Sequence, residues 1–249
     1  MATFTIEKFK DLVKRLGYTI YYQQAIKCEC YNNEQPRPTC KLCHGSGYRY
    51  LPAKEIRGLA TSLQGSNELN IQGLREPGTA YLTPDIELVM GYRDRVVFPD
   101  IEAKYSQTVD MLENTTTSFY REIKRVLFII QGDNVYEEDI DFVISKDKFH
   151  LLWISDTHKP EKGSKLSVLY MTSPSYLVMD LVHELRSTKI DKDTIVPYTA
   201  KLPNQYLIKR EDFIYNNTVN ERIPKILDME KEKELKKREA EKDMCRFEE

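Results

Sequence analysis

The stretch Ile123-Lys-Arg-Val-Leu-Phe-Ile-Ile-Gln131, followed at once by Gly132-Asp-Asn134, has the pattern that decides the fold. Its β-branched and aromatic side chains favour an extended strand. The Gly and Asn residues that follow adopt the backbone angles of a tight turn more readily than most residues do. The sequence therefore predicts a strand over 123–131 that ends in a hairpin near Gln131 to Asn134.

Runs of the same kind recur on both sides of this stretch and are separated by Pro, Gly, Asn and Asp. A second hairpin is predicted at Lys159 to Gly163, where Pro and Gly suit a turn. Helical patterns do not alternate with these runs, so we expect a mainly β fold, either an antiparallel barrel or a sandwich. The further predicted strands are 80–83, 86–90, 95–98, 104–111, 142–145, 151–154, 166–171, 176–182 and 206–209.

Two helices are predicted, one near each end of the chain. Apolar residues recur at helical spacing between Thr5, a suitable N-cap, and Gly17, a suitable stop, which predicts a helix over 5–16. From Glu221 to Glu249 the chain is an almost unbroken mixture of acidic and basic residues, which favours a charged, solvated C-terminal helix. Each helix either serves its own domain or is ordered against a neighbouring subunit.

The 249 residues divide into three segments by amino-acid composition and pattern. An N-terminal helix and a small zinc-binding module are expected in residues 1–56, a β-rich domain in 57–217, and the charged helical extension in 218–249. Hydrophobic residues make up 41% of the chain and charged residues 31%, which is ordinary for a globular protein. Such a length can bury a real core, so a metal need order only one region.

Charge and hydropathy narrow the classes of partner. The formal net charge of -2 gives no overall field that would gather nucleic acid. The longest apolar runs, Val126 to Ile130 and Leu151 to Ile154, are far shorter than the roughly 20 residues that cross a bilayer. The first 17 residues form an amphipathic pattern and not a secretory signal. We expect no membrane partner and folding in a reducing cytoplasm.

The cysteines form the one specific motif of the sequence. Cys28-Glu-Cys30 is followed, after nine residues, by Cys40-Lys-Leu-Cys43-His-Gly-Ser-Gly47. Two close pairs joined by a short loop can place four sulfurs around a tetrahedral ion, which predicts one structural Zn²⁺ bound by Cys28, Cys30, Cys40 and Cys43. Disulfides or free thiols are the alternative, and His44 is a substitute ligand. Cys245 stands alone as a spare thiol.

Candidate catalytic residues are few. His183-Glu184 begins like a zinc-protease helix, but Ser187 stands where the second histidine would be. The acids Glu137, Glu138, Asp139 and Asp141 match no calcium-binding loop and are expected in a solvated turn. The sequence also lacks a phosphate-binding Gly-rich loop and a Gly-x-Ser-x-Gly elbow. We therefore expect a protein that is not an enzyme.

Nucleic-acid contact has weaker support. The aromatic residues Phe149, Trp153, Tyr170 and Tyr176 are expected in the core and not in a base-stacking platform. A basic patch that would face DNA is predicted from five residues of the β region, Arg93, Arg95, Arg121, Lys124 and Arg125.

The cysteine module followed by a β-rich body resembles structural proteins of tailed bacteriophages, especially those of the head-tail connector. The stretches 80–85, 94–100, 169–178 and 183–186, with Leu202-Pro203 and Lys209-Arg-Glu211, add to the resemblance. The segment Cys40 to Gly47 is also similar to one repeat of the zinc module of DnaJ-type chaperones, but no further repeat occurs.

The resemblance to connector proteins implies a neck or head-completion subunit of the virion, assembled in the host cytoplasm. It also implies partners: other copies of the chain in an oligomeric ring, the portal and the tail proteins. The alternatives are a tail or baseplate component, a zinc-dependent adaptor that binds nucleic acid or protein in the host cytosol, and an enzyme with an unrecognised carboxylate site.

Overall fold

The computed structural model describes residues 6–32, 35–43, 45–62, 78–111, 116–182, 187–190 and 198–214. Within them lie helix α1 (Ile6–Leu16), seventeen strands and a short 3-10 helix (Glu211–Phe213). The strands are β1 (Tyr18–Gln23), β2 (Ala25–Lys27), β3 (Tyr48–Tyr50), β4 (Lys54–Ser62), β5 (Thr79–Pro84), β6 (Arg95–Val97), β7 (Ala103–Asp110), β8 (Thr116–Ser118), β9 (Arg125–Gln131), β10 (Asn134–Tyr136), β11 (Phe142–Ile144), β12 (His150–Trp153), β13 (Lys165–Thr172), β14 (Ser175–Leu181), β15 (Ser187–Ile190), β16 (Tyr198–Lys201) and β17 (Tyr206–Arg210).

Six strands close into an antiparallel barrel in the order β1-β4-β5-β17-β14-β6. Closure matters because it leaves no open sheet edge around the barrel. The interior is filled by side chains from all parts of the chain that contribute strands. The buried residues of this core are Ile20, Tyr22, Leu82, Met90, Val96, Phe98, Val178, Tyr206 and Ile208.

A second β unit, the inserted module (residues 103–172), lies in the chain between β6 and β14. It contains a four-stranded sheet, β10-β9-β13-β7, and a three-stranded sheet, β11-β12-β8, which share one core. Two neighbouring chain segments connect the module with the barrel: Val97 pairs with Ser175 in the barrel, and Ala103 pairs with Thr172 in the module's own sheet. Its buried core residues are Val109, Met111, Phe119, Ile123, Ile129, Tyr136, Phe142, Leu151, Trp153, Leu166, Val168 and Tyr170.

The predicted fold class is confirmed: the protein is mainly β and antiparallel, with an N-terminal helix. Every predicted strand overlaps an observed one except 86–90. That prediction was wrong because the segment forms a turn, in which Leu88 N donates to Asp85 O at 3.1 Å, and this turn buries Ile86 and Met90 without a sheet. The charged helix predicted over 221–249 lies outside the described residues.

The two predicted hairpins have different outcomes. The first is confirmed, since β9 and β10 pair across Gly132 and Asp133, and Gly132 has a φ of 58° that suits glycine. The second was wrong: Gly163 lies in a turn in which Ser164 N donates to Glu161 O at 3.1 Å, but the flanking strands β12 and β13 lie in different sheets. The turn there connects the two sheets. Pro and Gly specify that the chain reverses direction, but they do not specify which strand the next strand pairs with.

Strands β1 to β4 were not predicted, and two of them, β1 and β4, make the N-terminal segment part of the barrel. Strand β1 belongs to the barrel, where it pairs with both β4 and β6. Strand β4 crosses the predicted division between residues 56 and 57. The barrel therefore draws strands from both sides of that division.

Helix α1 is fixed to the barrel at its C-terminal end. Phe9 and Val13 are its buried residues, and the amide of Gly17 donates to Val13 O at 2.8 Å to end the helix. A Cβ at Gly17 would lie 2.3 Å from Val13 O and 3.3 Å from the backbone of Gly58 on β4. Only glycine allows this close approach. No helix within the described ranges is long and apolar enough to cross a membrane.

Replacement of Leu82 tests the barrel core. Leu82 is fully buried between β4 and β17, so Leu82→Ala should lower the free energy of unfolding by about 2–5 kcal/mol. Leu152→Ala, at an exposed position on β12, should cost less than about 1 kcal/mol. Urea denaturation of both variants measures the difference, and equal losses would contradict the assignment of Leu82 to the core.

Candidate metal centre

The four predicted cysteines are carried by one short hairpin. Strands β2 and β3 pair with Ala25 opposite Tyr50 and Lys27 opposite Tyr48. Cys28 and Cys30 follow β2 directly, and Cys40 and Cys43 shortly precede β3. The pairing of two three-residue strands therefore brings both halves of the motif together. We call residues 25–50 the cysteine hairpin.

The sulfur atoms converge on one point. The Sγ atoms of Cys28 and Cys40 are 3.9 Å apart, those of Cys30 and Cys43 are 3.4 Å apart, and all four lie within 4.8 Å of one another. A disulfide needs about 2.05 Å, so none is formed among these four cysteines. Tetrahedral ligands about 2.3 Å from a zinc ion would be about 3.8 Å apart, close to the observed spacing.

Two glycines allow the chain to turn behind the sulfurs. Gly45 and Gly47 have φ values of 83° and 79°, in the left-handed region. A Cβ at Gly45 would lie 2.9 Å from Pro38 O, and one at Gly47 would lie 2.6 Å from the Tyr31 hydroxyl. The Cys-x-x-Cys-x-Gly-x-Gly spacing is thus explained by backbone geometry.

Backbone amides point at the thiols. Leu42 N donates to Cys40 Sγ at 3.4 Å, and Gly47 N donates to Cys43 Sγ at 3.3 Å. Hydrogen bonds from the backbone at Cys43 and Leu42 lower the pKa of Cys40 to about 6. Cys40 is therefore disposed to be a thiolate, the form that binds metal.

The thiols of Cys28 and Cys30 have raised pKa values, which favours their protonated form. A backbone hydrogen bond at Cys30 lowers the pKa of Cys28, but burial and the adjoining thiols outweigh it and raise this pKa to about 12. Burial likewise raises the pKa of Cys30. Closely spaced thiols resist joint ionisation, and a divalent cation removes that resistance.

The hairpin is attached to the barrel by a buried carboxylate that the sequence analysis missed. Asp94 accepts hydrogen bonds from the Tyr22 hydroxyl at 2.6 Å, from Ala25 N at 2.8 Å and from Gly91 N at 2.7 Å. The bond to Ala25 fixes the first residue of β2. A carboxylate just before a predicted strand was the available signal, because Asp commonly accepts from nearby backbone in turns.

A second buried joint links the hairpin, the barrel and the C-terminal 3-10 helix. The guanidinium of Arg95 lies 3.7 Å from the ring centre of Tyr50 on β3. Its Nη2 donates to Glu211 Oε1 at 2.7 Å, and Glu211 is only 1% exposed. Cation-π contact and a charge-assisted hydrogen bond therefore meet at one arginine.

The same carboxylate also reaches the inserted module. Ser175 donates to Glu211 Oε2 at 2.7 Å and accepts from Arg121 Nη1 at 2.7 Å. Arg121, which belongs to the inserted module, also stacks over the ring of Tyr105 at 4.8 Å. Arg95, Ser175, Glu211 and Arg121 thus form one network, which we call the arginine joint.

The predicted DNA-facing patch is not a single surface. Arg95 and Arg121 are buried in the arginine joint, and Arg93 is half-buried. Lys124 donates to the backbone oxygens of Pro99 and Ile101 at 2.5 and 3.2 Å. Among the five, Arg125 alone is exposed, and it pairs with Glu102 at 3.5 Å. Sequence spacing could not reveal this because the cations are buried by contacts between distant segments.

The remaining candidate residues take structural positions. Trp153 and Tyr170 lie in the core of the inserted module as predicted, whereas Phe149 and Tyr176 are only partly buried. Glu137, Glu138 and Asp139 lie in an exposed turn, but Asp141 is buried and accepts from Glu137 N and pairs with His158. His44, Cys245, His183 and Glu184 lie outside the described residues.

Comparison with known proteins adds no identification, since no model of a protein family matches the chain and no curated protein matches it significantly in sequence. What the chain itself defines is a class of protein: a β protein with a four-cysteine hairpin that could hold a metal ion.

Metal content tests the cysteine cluster. We expect one metal ion per chain by native mass spectrometry, retained in Cys245→Ser and lost in Cys43→Ser, because Cys43 Sγ belongs to the cluster. Acidification should release the ion, since protons compete with metal for the thiolates. Equal metal content in the Cys43→Ser and parent proteins would contradict a four-sulfur site.

Glu211→Gln tests the arginine joint. The change keeps the shape but leaves Arg95 and Arg121 buried without their carboxylate, so we expect a loss of about 3 kcal/mol in the free energy of unfolding. Glu122→Gln removes an exposed pair with Lys148 and should cost less than about 1 kcal/mol. Urea denaturation compares the two, and a neutral Glu211→Gln would show that the joint does not stabilise the fold.

Proposed function

We propose that the protein is a structural subunit of a tailed-bacteriophage particle, of the neck or head-tail connector type, with a structural zinc ion bound by Cys28, Cys30, Cys40 and Cys43. The observation that carries the proposal is the four-cysteine hairpin, which is joined to a barrel that itself carries a second β module. This is the combination of cysteine module and β-rich body on which the resemblance to connector proteins rests.

Zinc is the metal that this donor set favours. Four sulfurs from the protein close a tetrahedral sphere and leave no position for a reacting water, which suits a structural ion. Bound zinc would stabilise the hairpin directly, because β2 and β3 have three residues each and two-stranded pairs are marginal in water.

The use of buried charge also supports a structural role. Asp94 and Glu211 each connect separate segments of the chain. Asp94 holds the cysteine hairpin, and Glu211 bridges the barrel to the inserted module. Such joints fix the relative positions of three β units, which a subunit that presents several surfaces to its neighbours requires. The proposed partners are other copies in a ring, the portal and the tail proteins.

A second candidate function is a zinc-dependent adaptor in the host cytosol. It is favoured by the exposed cations Lys27, Arg37 and Lys41 on the cysteine hairpin. If the partner is a nucleic acid, binding should weaken steeply as salt rises. Four thiolates around zinc carry a net charge of two negative units, which these cations would offset locally.

Removal of the gene from a phage that carries it tests the structural proposal. We expect heads and tails to accumulate separately, because a connector subunit is needed to join them. The full chain supplied in trans should restore joined particles, and cryo-electron microscopy of those particles should place the chain at the neck. A position at the baseplate would favour the tail alternative.

Complete infectious particles that form without the chain would contradict the proposal. Salt-sensitive binding of the purified full chain to duplex DNA, combined with its absence from particles, would instead support the adaptor.

A further inference from the structure

One sheet of the inserted module has an apolar outer face. Val135 on the edge strand β10 pairs directly with Ile130 on β9, and Phe128 lies two residues along β9 on the same face. These side chains are 51%, 42% and 57% exposed. Scattered apolar residues are normal on a surface, but these three are neighbours, and β10 is the edge strand of its sheet within the described part of the chain, which indicates a contact surface.

Acidic residues border this apolar face. Residues 132–145 contain five Asp or Glu and no Lys or Arg. Glu137, Glu138 and Asp139 are exposed there, and partial loss of solvent around the Glu138 carboxyl, together with the charge of Asp139, raises the pKa of Glu138. Like charges held this close are relieved by a cationic partner. We call Phe128, Ile130, Val135 and residues 137–139 the acidic face.

A surface of opposite charge lies on the other β unit, where α1 ends on the barrel. Leu16 and Tyr18 are 61% and 44% exposed, and Lys14 and Arg15 are exposed beside them. Arg57 on β4 donates to Lys14 O at 2.8 Å and so joins the same patch. Together α1 and β4 carry six Lys or Arg and three acids. We call Lys14, Arg15, Leu16, Tyr18 and Arg57 the basic face.

We propose that the acidic face of one copy binds the basic face of the next copy. Each face combines exposed apolar side chains with a border of charge, and the two borders have opposite signs, which is the complementarity that a specific contact needs. The two faces are different surfaces of one chain, so the contact is heterologous and repeats from copy to copy. This contact rests on the proposed function as an assembly subunit and names the surfaces that build it.

Charge reversal tests the contact in the full, metal-loaded chain. Glu137→Lys/Glu138→Lys reverses the acidic face, and Lys14→Glu/Arg15→Glu reverses the basic face. Each double variant should raise the dissociation constant for self-association more than about tenfold, because like charges then meet across the contact. Sedimentation velocity over a range of protein and salt concentrations measures it, and the parent protein should associate less as salt rises.

The chain that carries all four reversals provides the decisive comparison. Its faces again have opposite signs, so it should associate about as tightly as the parent, which a folding defect could not produce. Circular dichroism and metal content verify that every variant is folded. Lys146→Glu/Lys162→Glu, at exposed positions outside both faces, is the matched control and should leave association unchanged.

Three results would overturn the inference: a parent protein that stays monomeric, single-face reversals that leave association intact, or a fourfold variant that does not recover it. Failure of the proposed function is distinguishable from these results. If the chain is absent from particles but the charge swap restores association, the contact stands and the connector role falls. If the chain lies at the neck and the swap has no effect, a different protein covers these faces.

Discussion

The structure depends most on strand β6, whose three residues pair with strands on both sides. All three are buried, and the strand pairs with β1 on one side and with β14 on the other, so the barrel cannot close without it. Asp94, immediately before the strand, holds the start of the cysteine hairpin, and Arg95 within it holds Glu211. The inserted module begins a few residues later. Among the described residues, the barrel, the cysteine hairpin and the inserted module are therefore all positioned relative to this one short strand.

The cysteine hairpin is a part of the structure that a bound metal ion would stabilise. The cysteine hairpin has only two short strands, and most of its residues outside the sulfurs are exposed or half-buried. It receives support at its base from Asp94 and Tyr50, and near the sulfurs from contacts within the hairpin itself, such as Cys28 N donating to Gly47 O at 2.9 Å. Coordination of one ion would add a further constraint at that end, as in other small units that lack an apolar core.

Local patterns predicted well wherever a structure depends on neighbouring residues. The strand over 123–131 and its turn, helix α1 and the four cysteines are each specified within a short stretch, by side-chain shape, spacing or glycine backbone freedom. Strand β1 and the strand β4 that pairs with it were missed. Strand β1, Tyr-Thr-Ile-Tyr-Tyr-Gln, has β-branched and aromatic residues, so its local signal was present and was overlooked. The polar, glycine-containing sequence of β4 becomes a strand because the barrel supplies β1 and β5 as partners, so tertiary pairing overrides its weak local preference.

By itself, the sequence determined the β character of the chain, the chain reversals near 131–134 and 159–163, and the set of four thiols. These follow from properties that act over a few bonds or one turn of backbone. Only the tertiary structure decided that Arg95 would meet Glu211, 116 residues away, and that Arg121 would be buried instead of facing DNA. The order of strand pairing and the burial of each side chain depend on which distant segments meet. Closing such long loops costs entropy that is offset by the contacts of the whole core together, and not by local signals.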